Sequence, residues 1–449
     1  MQKKLLFKIA AIALLMLLIG VPLMIIQSTI GERLHFREEA VRSIADDSVR
    51  EQTVTGPLLV LPYTEEYEAL VADKEDKDTS KRVTVVEQRR KLVYPEQLVI
   101  TGDIGTERRY RGIHQVLVYT GQHKFSGNFQ LPQLSELPRH NAGSRITPGL
   151  PYMALPVADV RGIRDIPKVQ WGSRQIEFEQ GSGVLASPSG MHAPLSAADA
   201  APGATVAFQF SLALAGIERQ HVVPLGKNNT VTLSSAWPHP QFGGRFLPEQ
   251  RTISDKGFNA RWRVSALASG AQQQLDALEA RGEPSARGLA AELDSFNVGF
   301  VEPVNIYSQA DRATKYGLLF VALTFAAFFV FEILQQLRIH PIQYLLVGLA
   351  LALFFLLLVG LSEHIEFVWA YLTASVACIV LIGFYLGHVL GRMRRGIGFG
   401  AGLSLLYAAL YGLLISENNA LVLGSLLLFA VLAALMVVTR KVDWYQLGQ

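Results

Sequence analysis

The sequence has little charge and almost no cysteine. Charged residues make up 18% of its 449 positions, against roughly 25% in an ordinary soluble domain. Its one cysteine, Cys378, lies inside an apolar run. A single cysteine excludes an intrachain disulfide framework and a zinc site built on several cysteines. The low charge, together with 50% hydrophobic residues, excludes an average soluble composition.

Signatures of catalysis are also missing. There is no His-Glu-x-x-His zinc motif, no Gly-x-Ser-x-Gly nucleophile elbow, no phosphate loop and no Ser-x-x-Lys pair. The ten histidines are scattered, and no two have the i, i+4 spacing that places both imidazoles on one helix face. We therefore expect no metal, no other cofactor and no enzymatic activity.

The charge that is present divides the chain into a polar part and an apolar part. Residues 31–315 contain 32 Lys and Arg and 33 Asp and Glu. The remainder contains 9 basic and 5 acidic residues, so the positive surplus belongs to the apolar part. A nucleic-acid binder would carry a basic stripe on its polar part. We therefore expect no nucleic acid among the partners.

Six apolar stretches have about the 20 residues needed to cross the hydrocarbon core of a membrane. They are residues 9–26, 316–334, 341–361, 367–390, 397–415 and 420–438. The first follows lysines but precedes no small-x-small cleavage site, so we interpret it as an uncleaved anchor and not as a signal peptide. The sequence thus predicts an anchor (1–30), a large domain (31–315) and a five-helix bundle (316–449).

Basic residues outside the large polar region all fall on one side of the membrane. They are Lys3, Lys4, Lys8, Arg338, Arg392, Arg394, Arg395, Arg440 and Lys441. The opposite loops contain Glu363, His364, Glu366 and Glu417 but no Lys or Arg. By the positive-inside rule, both termini are cytoplasmic and residues 31–315 face the other side, which in a bacterium is the periplasm.

Residues 31–315 have the pattern of a mainly β domain, in which short strands alternate with turn residues, either a sandwich or a pair of packed sheets. Period-two alternation predicts strands over residues 82–88, 97–104, 114–120, 123–131, 204–214, 230–235 and 258–265. Residues 32–50 favour an extension of the first helix, and residues 193–203 and 266–291 favour loops and short helices. The charged segment 73–82 is typical of a solvated loop. The tripeptide Arg-Gly-Ile, at 111–113 and 161–163, weakly indicates duplicated β units.

One soluble segment combines aromatic, histidine and proline residues. Its candidate surface residues for a hydrophobic ligand or a partner are Trp237, His239, Phe242, Arg245 and Phe246. The alternative, which we favour, is a rigid corner between strands, with Trp237 and Phe242 filling the core, because proline fixes φ and aromatic rings usually pack inside.

Glu332 is the one acidic residue within a predicted span. An intramembrane carboxylate is a functional candidate by default. However, Glu332 lies near the cytoplasmic end of its span, where it could reach interfacial water or pair with Arg338. We favour this structural interpretation, since a proton relay needs several such groups and His388 alone could join it.

Glycines recur at every fourth position in two spans. Gly383, Gly387 and Gly391 lie in one span, and Gly398 and Gly402 lie in the next. Such stripes allow close approach of helix backbones. The run of alternate glycines that begins at Gly396 precedes no soluble helix, so it favours packing over a nucleotide loop.

Several short motifs, in this order, resemble those of the CreD family of bacterial inner-membrane proteins over nearly the whole chain. They are Gly56-Pro57-Leu58, Arg109-Tyr110-Arg111-Gly112-Ile113, Asp159-Val160-Arg161-Gly162-Ile163, Gly190-Met191-His192-Ala193, Trp237-Pro238-His239-Pro240, Phe246-Leu247-Pro248, Glu302-Pro303-Val304, Arg312-Ala313-Thr314-Lys315-Tyr316-Gly317 and Thr439-Arg440-Lys441-Val442-Asp443-Trp444-Tyr445. Gln241, where the family pattern favours a small hydroxyl residue, and a longer charged loop near Asp73 depart from the family pattern.

The resemblance implies an inner-membrane protein of Gram-negative bacteria, produced under a two-component system and linked to envelope integrity and to tolerance of colicins or β-lactams. It implies no catalytic residues. The leading hypothesis is a non-enzymatic envelope protein whose periplasmic domain contacts lipid, peptidoglycan machinery or another envelope protein. A second is a transporter or lipid-handling protein with Glu332 as coupling group. An envelope hydrolase is the least favoured, because no nucleophile and base can be named.

Overall fold

The computed structural model describes residues 2–72, 80–112, 114–140, 143–300, 302, 306–335, 339–389, 391–415 and 420–440. Most of the predicted charged loop, residues 73–79, therefore lies outside the described residues. The chain forms two compact units, one of residues 1–39 and 304–449 and the other of residues 40–303. The predicted borders of the large domain were residues 31 and 315. One helix extends beyond residue 31 and another begins before residue 315, so the second unit is shorter at both ends than the predicted domain.

The helices of the described residues are α1 (Gln2–Asp47), α2 (Ala271–Arg281), α3 (Leu289–Glu292), α4 (Ile306–Lys315), α5 (Gly317–Leu334), α6 (Pro341–Ser362), α7 (Phe367–Val389), α8 (Met393–Ile415) and α9 (Ala420–Thr439). Within those residues, α1, α5, α6, α7 and α8 are long and apolar enough to cross a membrane. α9 covers the sixth predicted span, and its described apolar part is Val422–Ala434. The predicted arrangement of one span followed by a helical bundle is confirmed.

The helical unit has an aromatic core. The rings of Phe325, Phe328, Tyr344, Phe354 and Phe355 are fully buried there. α6 packs against α4, α5 and α7, and ten of its residues are buried. Outward-facing leucines and valines on the same helices remain exposed, as expected for surfaces that face lipid.

The strands are β1 (Gln52–Thr55), β2 (Leu58–Ala72), β3 (Ser80–Val93), β4 (Gln97–Arg111), β5 (His114–Gln130), β6 (Arg145–Pro148), β7 (Tyr152–Pro156), β8 (Lys168–Trp171), β9 (Arg174–Glu177), β10 (Glu179–Gln180), β11 (Gly190–Pro194), β12 (Thr205–Ile217), β13 (Arg219–Val223), β14 (Asn228–Ser235), β15 (Pro240–Gly244), β16 (Gln250–Ser254), β17 (Gly257–Ser265) and β18 (Phe296–Phe300). They form a four-stranded sheet in the order β1-β13-β18-β15. A six-stranded sheet has the order β10-β11-β7-β2-β3, with β6 beside β2, and an eight-stranded sheet has the order β16-β17-β14-β4-β5-β12-β8-β9.

Faces of all three sheets meet in one hydrophobic core. Leu59 and Met153 come from the six-stranded sheet, Val222 from the four-stranded sheet, and Phe125 and Trp262 from the eight-stranded sheet. Burial alternates along β4, as it does in a strand with one face in the core. This packing of sheet on sheet confirms the mainly β, sandwich-like domain.

Every predicted strand is present, but two predicted strands form one continuous strand in the structure. The predicted strands over 114–120 and 123–131 form the single strand β5. β5 pairs along its length with β4 on one side and with β12 on the other, so Gly121 and Gln122 lie inside a ladder and not in a turn. The two Arg-Gly-Ile tripeptides are also unlike: Arg111 ends β4, whereas Arg161 lies in a short 3-10 turn. They therefore do not mark duplicated β units.

Candidate functional site

Glu332 lies near the end of α5 and is 5% exposed. Its carboxylate forms an ion pair with the ammonium group of Lys8 on α1. The backbone N–H of Ile339 donates to Oε1 over 3.0 Å, and the hydroxyl of Tyr344 donates to Oε2 over 2.9 Å. Lys8 also donates to the carbonyl oxygen of Ile339, over 3.2 Å. Both oxygens of the buried carboxylate are therefore bound, and its charge is balanced.

The partner of Glu332 differs from the one considered from sequence. Arg338 lies outside the described residues, and Lys8 provides the positive charge. Lys8 and Glu332 are 324 positions apart, so no local pattern could pair them. The signal that was available is the positive-inside rule, which places Lys8 and the end of α5 on the same side of the membrane.

A cleft of about 470 Å³ borders this ion pair. It is lined by Phe7, Lys8, Ala11, Glu332, Ile339, His340 and Pro341. His340 caps the start of α6, where its Nδ1 accepts from the N–H of Ile342. The buried carboxylate thus lies beside a space that water or a lipid headgroup could enter.

A second ion pair joins Arg33 of α1 to the opposite end of α6. Nε of Arg33 is 3.3 Å from Oε1 of Glu363, and Glu363 is the residue at which α6 ends. At a rise of 1.5 Å per residue, the distance from Lys8 to Arg33 along α1 is about 37 Å, similar to that from Ile339 to Glu363 along α6. α1 and α6 therefore run in the same direction, with an ion pair at each end of α6.

Glycines allow close contact between α7 and α8. A Cβ atom on Gly396 would lie 2.4 Å from the carbonyl oxygen of Gly383 and 2.6 Å from the Cα atom of Gly387. Gly391 has a different role, because its φ of +66° is in the left-handed region and its N–H donates to the carbonyl oxygen of His388 just after α7 ends. Only residues without a Cβ atom fit this crossing without displacement of the backbone.

Gly398 and Gly402 lie on another side of α8. A Cβ atom at either position would meet no heavy atom within 4 Å. Both glycines line an apolar groove of about 350 Å³, together with residues of α5 and α9 such as Thr324 and Val431. The sequence pattern assigned these two glycines and the run that begins at Gly396 to helix packing, and the structure places Gly396 at the crossing, since α7 approaches that side of α8.

Of the five candidate surface residues of the sheet-rich unit (residues 40–303), Trp237 is buried, at 8% exposure. Its Nε1–H donates to the carbonyl oxygen of His239 over 3.0 Å. The guanidinium carbon of Arg108 lies 5.8 Å from the centre of the indole ring, a cation–π distance. Trp237 thus holds the corner before β15 in place.

The other aromatic candidates also contact the core. Phe242 is half-buried, with ring centres 5.6 Å from those of Phe258 and Trp262. Phe246 is half-buried too, and its carbonyl oxygen accepts from Nε1 of Trp262 over 3.2 Å. These rings are placed as the rigid-corner interpretation expects.

His239 and Arg245 are exposed. Nε of Arg245 lies 3.4 Å from Oδ1 of Asp294. The two side chains lie at opposite ends of β15, which is an edge strand of the four-stranded sheet. They are the part of the candidate surface that a partner could reach.

Both Arg-Gly-Ile tripeptides contact the end of α1, which sequence reasoning missed. Nη1 of Arg161 donates to the carbonyl oxygen of Asp46 over 2.6 Å, and its Nη2 donates to that of Ala45 over 3.1 Å. Nη1 of Arg111 donates to Oδ2 of Asp47 over 2.7 Å. Positive charge at the last carbonyls of a helix is favourable, because these groups lack partners within the helix and carry the negative end of its dipole.

Asp159 holds Arg161 in this position. Its carboxylate accepts from Nη2 and Nε of Arg161 and from the backbone N–H of Arg50. Burial alone would raise the pKa of Asp159, but the hydrogen bonds from Arg161 and Arg50 hold the pKa below its usual range. Gly162 is required beside them, since a Cβ atom there would lie 2.3 Å from the carbonyl oxygen of Ala215.

Two further buried polar side chains, His123 and Glu65, lie within the sheet-rich unit. Burial lowers the pKa of His123 to about 4, so its ring is neutral at pH 7. Its Nε2 lies 2.6 Å from Nε2 of Gln220. The carboxylate of Glu65 is fully buried, with Nε of Arg89 3.0 Å from Oε2. Among the described residues, no group of three or more His, Cys, Asp or Glu side chains could hold a metal ion.

The comparisons with known proteins agree over nearly the whole chain. The family model described as "Inner membrane protein CreD" matches residues 4–445. The protein named "Inner membrane protein CreD" of Escherichia coli (strain K12) is 36% identical over 448 residues, which cover 99% of this chain and 95% of that protein.

Solved structures show only slight similarity. Two crystal structures of an M1 zinc metallopeptidase from Deinococcus radiodurans are 11% and 10% identical, each with a TM-score of 0.20. The match covers 46% of this chain and 42% of the peptidase, less than half the length of either. Because similarity at this level carries no information on activity, the family match decides the assignment. The chain belongs to the CreD family of inner membrane proteins.

Proposed function

We propose that the chain supports the integrity of the bacterial cell envelope and its tolerance of colicins or β-lactams, without catalysis, through the sheet-rich unit of residues 40–303. The observation that carries this proposal is the match to the CreD family over residues 4–445. The large size of the sheet-rich unit, placed between the first and second spans, also supports a role for it outside the membrane.

The proposed orientation places this unit in the periplasm and both termini in the cytoplasm. Lys3, Lys4 and Lys8 at the start of α1, and the loop after α6 with Glu363 and Glu366 but no Lys or Arg, support this orientation by the positive-inside rule. Arg392 before α8, and Arg394 and Arg395 in its first turn, lie on the cytoplasmic side in this arrangement. An extracytoplasmic domain could reach lipid headgroups, peptidoglycan machinery or another envelope protein.

The direct test replaces residues 40–303 by a flexible linker in the host bacterium. Tolerance of a colicin and of a β-lactam is then compared with that of the native strain and of a strain without the gene. We expect the shortened protein to give the tolerance of the gene deletion while it is still found in the membrane fraction. Native tolerance from a stably inserted, shortened protein would contradict the proposal.

The proposed partner surface consists of the exposed residues of the aromatic segment, His239 and Arg245. A double substitution to alanine should lower tolerance without a change in the thermal unfolding temperature, because neither side chain fills the core. Lys256→Ala, at an exposed turn of the same unit, is the matched control. If the double variant kept native tolerance, this surface would be excluded.

A transporter or lipid-handling protein is the second candidate, favoured by the cleft beside the buried carboxylate of Glu332. If Glu332 couples transport, Glu332→Gln should abolish tolerance at a normal protein level, and the double variant with Lys8→Met should also be inactive because the carboxylate is absent. If the ion pair is structural, the double variant should recover the tolerance and protein level lost by either single variant. The double variant therefore distinguishes the two roles.

A further inference from the structure

A cleft of about 540 Å³ lies on the outer face of the four-stranded sheet. Its floor is formed by β1 and β13, which pair in parallel with Thr53 beside His221. Because side chains alternate along a strand, Thr53 and Thr55 share the face of His221, and Glu51, just before β1, also lines the cleft. The opposite faces of both strands supply Val54 and Val222 to the core.

Three chain segments form the walls of the cleft: residues 156–158, 186–189 and 284–291. The last segment includes α3, which packs against both β1 and β13. The walls supply three serine hydroxyls, from Ser187, Ser189 and Ser285, the guanidinium group of Arg287, and otherwise small or apolar groups. No Phe, Tyr or Trp ring is among the described residues that line the cleft, so it lacks the stacking surface that favours a sugar or a nucleobase.

Two polar atoms on the floor have no hydrogen-bond partner within the part of the chain that the structure describes. Thr55 is 1% exposed, and its Oγ1 has no hydrogen-bond partner among the described residues. Nδ1 of His221 is buried and likewise unpaired there, while Nε2 of the same ring lies 3.5 Å from Oε2 of Glu51. An unpaired buried polar group costs free energy, so such groups in a folded protein call for an explanation. A polar ligand that supplies the missing hydrogen bonds would provide one.

Exposed side chains of both signs of charge line the cleft. The side chain of Glu51 is 43% exposed, and that of Arg287 is exposed. A carboxylate and a guanidinium on one cleft are complementary to a molecule with an ammonium group and a carboxylate. The volume lies within the range of about 300–1,000 Å³ typical of small-molecule sites.

We propose that this cleft binds a short peptide with free termini and small side chains. Its ammonium group contacts Glu51, its carboxylate contacts Arg287, and its amide groups pair with the hydroxyl of Thr55 and with Nδ1 of His221. The small wall residues select for side chains of about the size of alanine. This binding requires neither a particular orientation in the membrane nor the proposed envelope role.

The test uses the full chain in lipid nanodiscs and trialanine as the probe, with binding followed by saturation-transfer difference NMR. We expect saturable binding with a Kd of about 0.1–1 mM. Acetylation of the amino terminus or amidation of the carboxyl terminus of the probe should each weaken binding about tenfold, because each removes one charge-assisted contact. Glu51→Gln should remove the effect of acetylation, and Arg287→Gln should remove that of amidation.

Thr55→Val separates binding from folding. Valine has nearly the same shape but no unpaired hydroxyl, so the variant should unfold at a temperature about 2 °C higher and bind trialanine several-fold more weakly. Arg164→Gln, at an exposed position outside the cleft, should change neither quantity. Absence of saturable binding at millimolar trialanine, or equal binding by the native chain and the Thr55→Val variant, would overturn the proposal.

Discussion

Glu332 shows why an intramembrane carboxylate need not be a coupling group. Its two oxygens are bound by Lys8, Ile339 and Tyr344, so the charge is compensated where it is buried. Removal of one partner from such a pair is costly because the other charge stays buried and unpaired, whereas removal of both is often tolerated.

We expect Glu332→Gln and Lys8→Met each to lower the free energy of unfolding by about 2 kcal/mol, less than for a completely buried pair because the side chain of Lys8 is 26% exposed. The double variant should lose less than the sum of the two losses. Thermal unfolding in detergent, followed by circular dichroism, measures all three variants. Losses that simply add would mean that the two side chains do not interact.

His123 makes the stability of the sheet-rich unit dependent on pH. Burial lowers the pKa of its ring to about 4 in the folded chain, whereas an unfolded histidine titrates near about 6.5. As pH falls, the unfolded chain therefore binds the proton first. The contribution to stability is complete above about pH 6.5 and is lost progressively down to about pH 4, by roughly 3 kcal/mol in total.

Guanidinium unfolding at pH 7.5 and at pH 4.5, followed by tryptophan fluorescence, measures this loss. In the His123→Gln variant, the difference between the two pH values should shrink by most of that amount. An unchanged difference in the variant would assign the pH dependence to other groups.

The crossing of α7 and α8 depends on one side of each helix. Gly396→Ala should lower the free energy of unfolding by about 1–3 kcal/mol, because its Cβ atom would overlap the backbone of α7. Gly398→Ala is the matched control on the same helix, with open space at its Cβ position. Thermal unfolding in detergent tests both variants. Equal losses for the two would contradict the assigned crossing.

Most elements follow from local sequence patterns. Long apolar runs predicted the spans because a membrane leaves the backbone no other way to satisfy its hydrogen bonds. Alternation predicted strands such as β4, which has one face in the core, and β12, which alternates up to Ser211 and is buried throughout from Leu212. β1 is buried on both faces, and β13 is buried or half-buried after its first residue. Neither short strand has a clear alternation, and both were missed.

The candidate sites were harder to predict because their parts are distant in sequence. The ion pair of Lys8 and Glu332 joins α1 to α5, 324 positions further along the chain. The contact of Arg161 with the end of α1 spans more than a hundred positions. Sequence reasoning found Glu332, Trp237 and the glycine stripes as unusual residues. It could not place their partners, since these depend on which helices and strands become neighbours.

At the level of the complete protein, the proposed function requires the sheet-rich unit to face the periplasm. Leu267 is fully exposed on this unit, and Arg394 lies near the start of α8, on the side proposed to be cytoplasmic. The native Cys378 is buried within α7, so a thiol reagent should report on an introduced cysteine alone.

The decisive measurement is therefore the labelling of Leu267→Cys and Arg394→Cys in intact spheroplasts by a membrane-impermeant maleimide. If the sheet-rich unit is periplasmic, Leu267→Cys is labelled at once and Arg394→Cys is labelled only after the membrane is permeabilised. The reverse pattern would place the sheet-rich unit in the cytoplasm and contradict a direct role for it in the envelope.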